Sequence, residues 1–173
     1  ENSNQAYDLY NKHSPDILIT DLTMPGIGGL KLIKKVLRRN SQAKIIVYSM
    51  HDEYIYAIQA LSAGVMGYVL KSSPAEELYS AISSVNSNRR FMSSEIAHKL
   101  AIHSLTGETS SMETLTSREF EVFRLIATGA SVNDIAKLLK ISHKTVATYQ
   151  TRLKRKLNIQ SPVELVKIAI QQG

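Results

Sequence analysis

The sequence predicts two domains of different fold class, an α/β domain with a parallel sheet followed by an all-α domain. Short apolar runs of strand length alternate with segments of helical periodicity in the first half, which is the pattern of βαβ units. From Thr116 onward every periodic segment is helical. A chain of 173 residues is long enough for two such domains, since each could bury a core of its own.

Three short apolar runs in the first half are predicted to be strands, and helical patterns separate them. The runs are Ile17–Thr20, Lys44–Tyr48 and Gly67–Leu70, and the helical patterns lie at about 29–39, 53–63 and 74–86. Asn2–Asn11 is also predicted to be a helix, so the first predicted element of this chain is a helix and not the first strand of a βαβ unit. Residues 1–86 are therefore expected to form the α/β domain.

The composition turns polar after Asn86, and we expect a linker over residues 87–113 that contains a short helix at Ser93–Ser104. The all-α domain, residues 114–173, is expected to hold four helices near 116–128, 131–139, 142–157 and 161–171. Capping boxes at Thr116–Glu119 and Ser161–Glu164 indicate where two of these helices begin.

The net charge of +6 is distributed unevenly along the chain. Residues 1–113 carry 11 Lys+Arg and 11 Asp+Glu, whereas residues 114–173 carry 10 and 4. A basic domain attached to a neutral one indicates that the second domain binds an anion, with nucleic acid the leading candidate.

The composition also argues against several classes of protein. The chain has no cysteine, so it can form neither a disulfide nor a thiolate metal site or nucleophile. Its five histidines lack the spacing of zinc ligands. No stretch approaches the ~20 apolar residues of a membrane span, and the amino terminus does not resemble a signal peptide. We therefore expect a cytoplasmic protein with no membrane contact.

Two helices of the second domain have the spacing of a helix-turn-helix unit, joined by a short turn around Lys140 and Ile141. At about 100° per residue, Val146, Leu153 and Leu157 fall on one face of the second helix. The opposite face carries small, hydroxyl and cationic side chains, namely Lys144, Ala147, Thr148, Thr151, Arg152 and Arg155. Such a face can enter the major groove of double-stranded DNA and bond to bases and phosphates. A merely solvated basic face is the alternative.

The stretch LTSREFEVFRLIATGASVNDIAKLLKISHKTVATYQTRLKRKLNI resembles the LuxR/NarL (FixJ) type of DNA-binding domain over its whole length. The similarity rests on four short motifs, which begin at Leu115, Ile135, Thr145 and Lys156. It implies that positions 147, 148 and 151 face bases, and that phosphates are held by Lys144, Thr145 and Arg152. Tyr149 stands where many members have histidine. The family usually dimerises through its last helix, which here is Pro162–Gln171.

The first half resembles a response-regulator receiver, a doubly wound, flavodoxin-like α/β domain whose active site lies at the carboxyl ends of its parallel strands. Asp21 matches the phosphoacceptor, Ser49 the hydroxyl that bonds the phosphoryl group, and Lys71 the lysine that pairs with it. Tyr68 matches the aromatic residue whose rotation reports phosphorylation. Thr23 would lend its backbone carbonyl, beside Asp21, to Mg²⁺, the cofactor expected for the family.

The receiver resemblance is incomplete at the amino terminus. A receiver begins with a strand that ends in an acidic pair, whereas this chain begins near the second helix of that pattern. Because Mg²⁺ is bound through oxygen ligands, we expect an incomplete metal site and a poor phosphoacceptor in this chain. The strand at 17–20 is expected to have an unpaired edge, which favours dimerisation or segment exchange.

The leading interpretation is a DNA-binding transcription regulator of a two-component system, not an enzyme, in which a sensor histidine kinase phosphorylates Asp21. The motifs MPGIGGL, GASVNDIA and TVATYQTRLKRKLNI most resemble the GacA/UvrY branch of the family, whose members answer a membrane sensor kinase. An aspartyl-phosphate phosphatase is one alternative, but it would need a second acid where this chain has Thr23. The other is a phosphorylation-independent DNA binder that uses the incomplete receiver only for dimerisation.

Overall fold

The computed structural model describes residues 3–24, 28–106, 114–159 and 164. The chain divides into two compact units, Glu1–Glu108 and Thr109–Gly173. The first is built around a parallel sheet, and the second is helical over most of its described part. The predicted fold class, an α/β domain followed by an all-α domain, is confirmed.

The sheet of the first unit has the strand order β1-β2-β3-β4, and all neighbouring strands are parallel. The strands are β1 (Ile17–Thr20), β2 (Lys44–Ser49), β3 (Gly67–Leu70) and β4 (Phe91–Met92). The helices of this unit are α1 (Ser3–His13), α2 (Gly29–Arg39), α3 (Tyr54–Ala63), α4 (Ala75–Asn86) and α5 (Ser94–Thr106). The strands and helices predicted before residue 87 are all present, with bounds that differ by a residue or two.

The central strands are covered on both faces, which explains their unbroken apolar sequences. Every residue of β3 is buried, and so are the three residues at the centre of β2. On the face covered by α4, the fully buried core consists of Ile46, Val69, Ala81 and Val85. β1 lies at one edge of the described sheet, and Ile19 on this strand is 42% exposed.

Two elements that follow α4 pack with the first unit. The amide of Phe91, in β4, donates a hydrogen bond to the carbonyl of Met66 at 2.9 Å. The helix predicted inside the linker is present as α5, and it packs on α3 and β3 with Ile96 fully buried. β4 was not predicted, because a strand of two residues shows no alternation. The rest of the predicted linker, residues 107–113, lies outside the described residues.

The described helices of the second unit are α6 (Ser117–Ala127), α7 (Val132–Leu139) and α8 (His143–Leu157). The predicted capping box at Thr116 begins α6. Lys140 adopts a left-handed conformation between α7 and α8, with φ 52° and ψ 49°, and this ends α7 and makes the predicted turn. The predicted fourth helix, 161–171, lies outside the described residues except for Glu164, which is helical.

Candidate functional sites

The carboxyl ends of β1, β2 and β3 bring three predicted site residues together. Asp21 follows β1, Ser49 ends β2 and Lys71 follows β3. The Ser49 hydroxyl donates to Asp21 Oδ1 at 2.9 Å, and Lys71 Nζ donates to Asp21 Oδ2 at 2.7 Å. Since neighbouring parallel strands end at the same edge of a sheet, residues 50 positions apart in sequence meet around one carboxylate.

The Asp21 carboxylate is held in its ionised form. Burial alone would raise its pKa, but hydrogen bonds from Lys71, the Thr23 amide and Ser49 outweigh burial and lower the pKa below the ordinary value of 3.8. The Thr23 amide donates to Asp21 Oδ1 at 3.0 Å. The arrangement presents an anionic nucleophile beside a hydroxyl donor and a cation, which can together receive a negatively charged group.

Tyr68 and His51 connect this carboxylate site to the loop after β2. Tyr68 is fully buried and donates its hydroxyl proton to the backbone carbonyl of His51 at 2.8 Å. Burial raises the pKa of the Tyr68 phenol, and the charges of Glu53 and Asp21 raise it further, so the phenol remains neutral. The His51 ring lies 2.6 Å from Thr23 Oγ1.

His51 is a site residue that was not predicted from the sequence. Its ring stacks on Tyr56 with the centroids 4.1 Å apart, which fixes the ring beside Thr23. The only available signal was its position two residues after Ser49. That spacing alone does not place His51 near Asp21, because it becomes informative only once the end of β2 is known to lie at the site.

Gly29 is a second residue of the site that was not predicted. A Cβ atom placed on Gly29 would lie 1.9 Å from the carbonyl oxygen of Asp21 and 2.7 Å from the Cα of Leu22. The Gly29 amide also donates to the Leu22 carbonyl at 3.0 Å. The first turn of α2 therefore supports the backbone of Asp21 directly, and only glycine allows this approach. The glycine pair in MPGIGG was the signal.

The described residues offer Mg²⁺ few ligands. No group of three His, Cys, Asp or Glu side chains that could hold a metal ion occurs in the described part of the chain. At the predicted position, Asp21 supplies one carboxylate and Thr23 one backbone carbonyl, and both carboxylate oxygens already accept hydrogen bonds. Because Mg²⁺ requires six oxygen ligands in octahedral geometry, these residues do not by themselves form its site.

The helix-turn-helix unit presents the predicted cationic face of α8. Val146, Leu153 and Leu157 are buried, and α8 packs on α6 and α7. Most of the predicted DNA-facing residues are exposed, namely Lys144, Ala147, Thr148, Thr151, Arg152 and Arg155. Thr145 is half-buried, and its hydroxyl lies 2.8 Å from that of Ser142 at the start of α8.

The centre of this face is a shallow, cationic hollow. Four residues line the hollow, which has a volume of about 420 Å³: Thr148, Thr151, Arg152 and Arg155. The hydroxyl of Thr148 donates to the Lys144 carbonyl at 2.9 Å, and that of Thr151 to the Ala147 carbonyl at 3.0 Å. Arg152 lies over the Tyr149 ring, 6.0 Å from its centroid, so this tyrosine can position the guanidinium.

The Leu-Thr-x-Arg-Glu motif holds the other two helices of this unit in place. Glu119 is almost fully buried and pairs with Lys156 of α8 at 2.7 Å. Arg118 donates to the carbonyl of Leu139, at the end of α7, at 3.0 Å. Two adjacent residues of α6 thus contact the two helices of the helix-turn-helix, a role that the sequence analysis did not assign.

An aspartate held at strand ends and a separate helix-turn-helix unit with a cationic face together define the class of DNA-binding response regulators. The family model for the response regulator receiver domain matches residues 1–83. The family model for bacterial regulatory proteins of the luxR family matches residues 113–169. The chain therefore belongs to the LuxR family of response regulators, whose members are transcription regulators.

Curated relatives agree with this assignment. The response regulator UvrY of Escherichia coli is 38% identical over 160 residues, which cover 91% of this chain and 73% of that protein. The response regulator GacA of Pseudomonas aeruginosa is 36% identical over 167 residues, which cover 95% of this chain and 78% of that protein. The predicted resemblance to the GacA/UvrY branch is confirmed.

Solved structures show the same architecture. A LuxR-family two-component response regulator from Aurantimonas is 37% identical, with a TM-score of 0.59 over 61% of this chain and 75% of that one. RcsB of Salmonella enterica, solved on promoter DNA with a phosphomimetic BeF3⁻ group, is 29% identical. Its TM-score is 0.62, over 96% of this chain and 81% of that one.

Among the described residues, no helix is long and apolar enough to cross a membrane.

Proposed function

We propose that a phosphoryl group on Asp21 controls the binding of DNA by α8. The observation that carries this proposal is the pair of contacts on the Asp21 carboxylate, with Ser49 on one oxygen and Lys71 on the other. A hydroxyl and an ammonium group at this spacing are suited to stabilise the charge of an acyl phosphate. The family membership supports the same function.

The proposed donor is a phosphohistidine of a sensor histidine kinase. An Asp21 carboxylate oxygen attacks the phosphorus atom, the phosphorus–nitrogen bond breaks, and its electron pair returns to the imidazole. The Lys71 ammonium balances the charge that arrives, and the Ser49 hydroxyl donates to a phosphoryl oxygen instead of to Asp21. Receiver domains generally bind Mg²⁺ for phosphorylation.

A movement of Ser49 would be transmitted to the loop after β2 through two hydrogen bonds of His51, one to Ser49 and one from Tyr68. The His51 amide donates to Ser49 Oγ at 3.4 Å, and the His51 carbonyl accepts from Tyr68 at 2.8 Å. If Ser49 turns towards a phosphoryl group, the first of these bonds is lost. Tyr68 and the loop are then free to change conformation together.

On the DNA, we assign base contacts to Ala147, Thr148 and Thr151. The proposed phosphate contacts are made by Lys144, Thr145, Arg152 and Arg155. We also propose a homodimer, formed through the helix that the sequence predicts over residues 161–171 or through the exposed edge of β1. A DNA-binding regulator of this kind would work in the cytoplasm, where the DNA and the phosphorylated kinase domain meet.

The phosphorylation step is tested with acetyl phosphate and Mg²⁺, by intact mass and by DNA affinity, on the wild type and Asp21→Asn. We expect a slow, Asp21-dependent mass gain in the wild type and none in Asp21→Asn, together with a change in DNA affinity. If DNA affinity is the same with and without the phosphoryl group, binding is independent of phosphorylation.

The DNA-binding step is tested separately with Arg152→Ala, which removes a cation from the exposed face of α8. Arg124→Ala on α6 is the matched control, since it makes the same change in charge on an exposed residue of another helix. We expect Arg152→Ala to weaken binding of duplex DNA by about 5- to 150-fold, the range of a charge-assisted contact worth about 1–3 kcal/mol. Equal loss in both variants would argue against α8 as the DNA-binding helix.

A further inference from the structure

The first unit has almost no net charge in sequence, with 11 Lys+Arg and 10 Asp+Glu over residues 1–108, but it is polarised in structure. Since its four strands are parallel, their amino ends lie along one edge of the sheet, together with the carboxyl ends of the helices that precede them. We call this the amino edge, and define it as residues 12–16, 38–44, 64–66 and 86–90. It contains six cations and a single acid, Asp16. The cations are Lys12, Arg38, Arg39, Lys44, Arg89 and Arg90.

The cations of the amino edge are available to a ligand. All of them are exposed except Lys44, which is half-buried and donates to the Asn86 carbonyl at 2.6 Å. Within the described residues, no carboxylate forms an ion pair with any of the six. At the opposite edge of the sheet the cations are neutralised, because Lys71 pairs with Asp21 and Lys99 with Asp52.

Helix dipoles explain only part of this charge. Lys12, Arg38 and Arg39 lie in the last turns of α1 and α2, where a cation is favourable by about 0.3–1 kcal/mol. Arg89 and Arg90 lie beyond the end of α4 and before β4, in no helix. Helix dipoles therefore do not account for Arg89 and Arg90, at the β4 end of the amino edge.

The chemistry of the edge fits a polyanion better than a protein or a membrane. None of the large hydrophobic side chains that are exposed among the described residues lies in the amino edge. A protein partner favours aromatic and apolar anchors, and stable binding to a membrane surface combines basic residues with apolar groups that insert. A uniformly cationic surface with neither feature matches the phosphate backbone of nucleic acid.

We propose that the amino edge binds the DNA backbone next to the site held by α8. At roughly 4.8 Å between neighbouring strands, the sheet spans about 14 Å from β1 to β4, enough for more than one phosphate. The proposal rests on DNA binding by the second unit, because a duplex held by α8 is at high effective concentration near the first unit of the same chain. The edge adds affinity without sequence preference.

The test measures the salt dependence of DNA binding by the full chain. The variant Arg89→Ala/Arg90→Ala is compared with Lys31→Ala/Lys34→Ala on α2, which removes the same charge from exposed positions outside the amino edge. A mixed-sequence duplex of about 60 base pairs is titrated by fluorescence anisotropy at several salt concentrations. The slope of log K against log salt should fall by about 1.8 for two lost phosphate contacts. The control should keep the wild-type slope.

Arg152→Ala, measured on the same duplex, separates this inference from the proposed function. If Arg152→Ala weakens binding while Arg89→Ala/Arg90→Ala keeps the wild-type slope, DNA binding by α8 stands and the amino-edge proposal is wrong. If Arg152→Ala has no effect, the proposed function itself fails. The oligomeric mass of each variant is measured by sedimentation. If Arg89→Ala/Arg90→Ala binds DNA more weakly and also changes its oligomeric mass, the amino edge serves self-association and the proposal is wrong.

Discussion

Lys156 joins the last turn of α8 to the first turn of α6 through Glu119. Its Nζ lies 2.7 Å from Glu119 Oε2 and 2.7 Å from the Thr114 carbonyl. The same carboxylate oxygen accepts the Thr116 amide at 2.8 Å, so it closes the capping box of α6 as well. One buried carboxylate therefore ties the end of α8 to the start of α6.

Lys156→Met should destabilise the second unit. Glu119 would keep its capping contact but lose its cation, and an unpaired buried carboxylate is costly. Because the Lys156 side chain is 27% exposed, we expect a loss of about 2–4 kcal/mol, less than for a fully buried pair. Native-state hydrogen exchange of α6 and α8 measures the change. Lys154→Met on the same helix should cost far less, and equal losses would show that charge alone is responsible.

Acid should weaken the same unit through Glu119. Burial would raise its pKa, but the hydrogen bonds from Lys156 and Thr116 outweigh burial and lower the pKa below 4.5. The contribution of the carboxylate is complete above the unfolded value of 4.5, and it is lost as the pH falls through the lower folded value. Thermal unfolding followed by circular dichroism should therefore show a larger drop between pH 6 and pH 3 for the wild type than for Glu119→Gln. Parallel curves would contradict the assignment.

Gly29→Ala should damage the Asp21 site. Its new methyl group would meet the Asp21 carbonyl oxygen at 1.9 Å, and both atoms belong to backbone, so the loop or α2 must move. Overpacking of this kind costs about 1–3 kcal/mol or more, and we expect faster hydrogen exchange around Asp21 and Leu22. Gly67→Ala is the matched control, since its methyl group meets only the Ile46 side chain, at 3.0 Å. A Gly29→Ala variant as stable as Gly67→Ala would show that the contact is relaxed in solution.

The site residues that could be predicted are those whose positions follow from the periodicity of a strand or a helix. The strand runs placed Asp21, Ser49 and Lys71 at neighbouring strand ends, and the structure brings them within hydrogen-bond distance. The angular distribution of residues on α8 separated its buried face from its exposed face in the same way. In both cases a local pattern carries the information, because burial repeats with the period of the element.

Contacts between distant segments were not predictable in this way. Glu119 and Lys156 are 37 residues apart, and neither position departs from an ordinary helical pattern. The polarity of the first unit was hidden for a related reason, since positive and negative charges cancel along the sequence and separate only when the strands align. A single sequence contains no direct record of such pairings.

The hydroxyl of Thr151 should be dispensable for DNA binding, whereas its methyl group should not. The hydroxyl donates to the Ala147 carbonyl, so the methyl group is the branch left to contact a base. Thr151→Val keeps that branch and should bind duplex DNA within about twofold of the wild type. Thr151→Ser removes one methyl group that is exposed in the free protein and would be buried against the DNA, a loss worth about 0.8 kcal/mol or roughly fourfold in affinity.

The same substitutions at Thr128 provide the control, because its hydroxyl also donates to a backbone carbonyl, that of Leu125, but it lies outside α8. Neither Thr128→Val nor Thr128→Ser should change the anisotropy titration. If Thr151→Val loses affinity and Thr151→Ser retains it, the hydroxyl must leave the Ala147 carbonyl when DNA binds. That result would assign Thr151 a hydrogen bond to a base or phosphate, in place of an apolar contact.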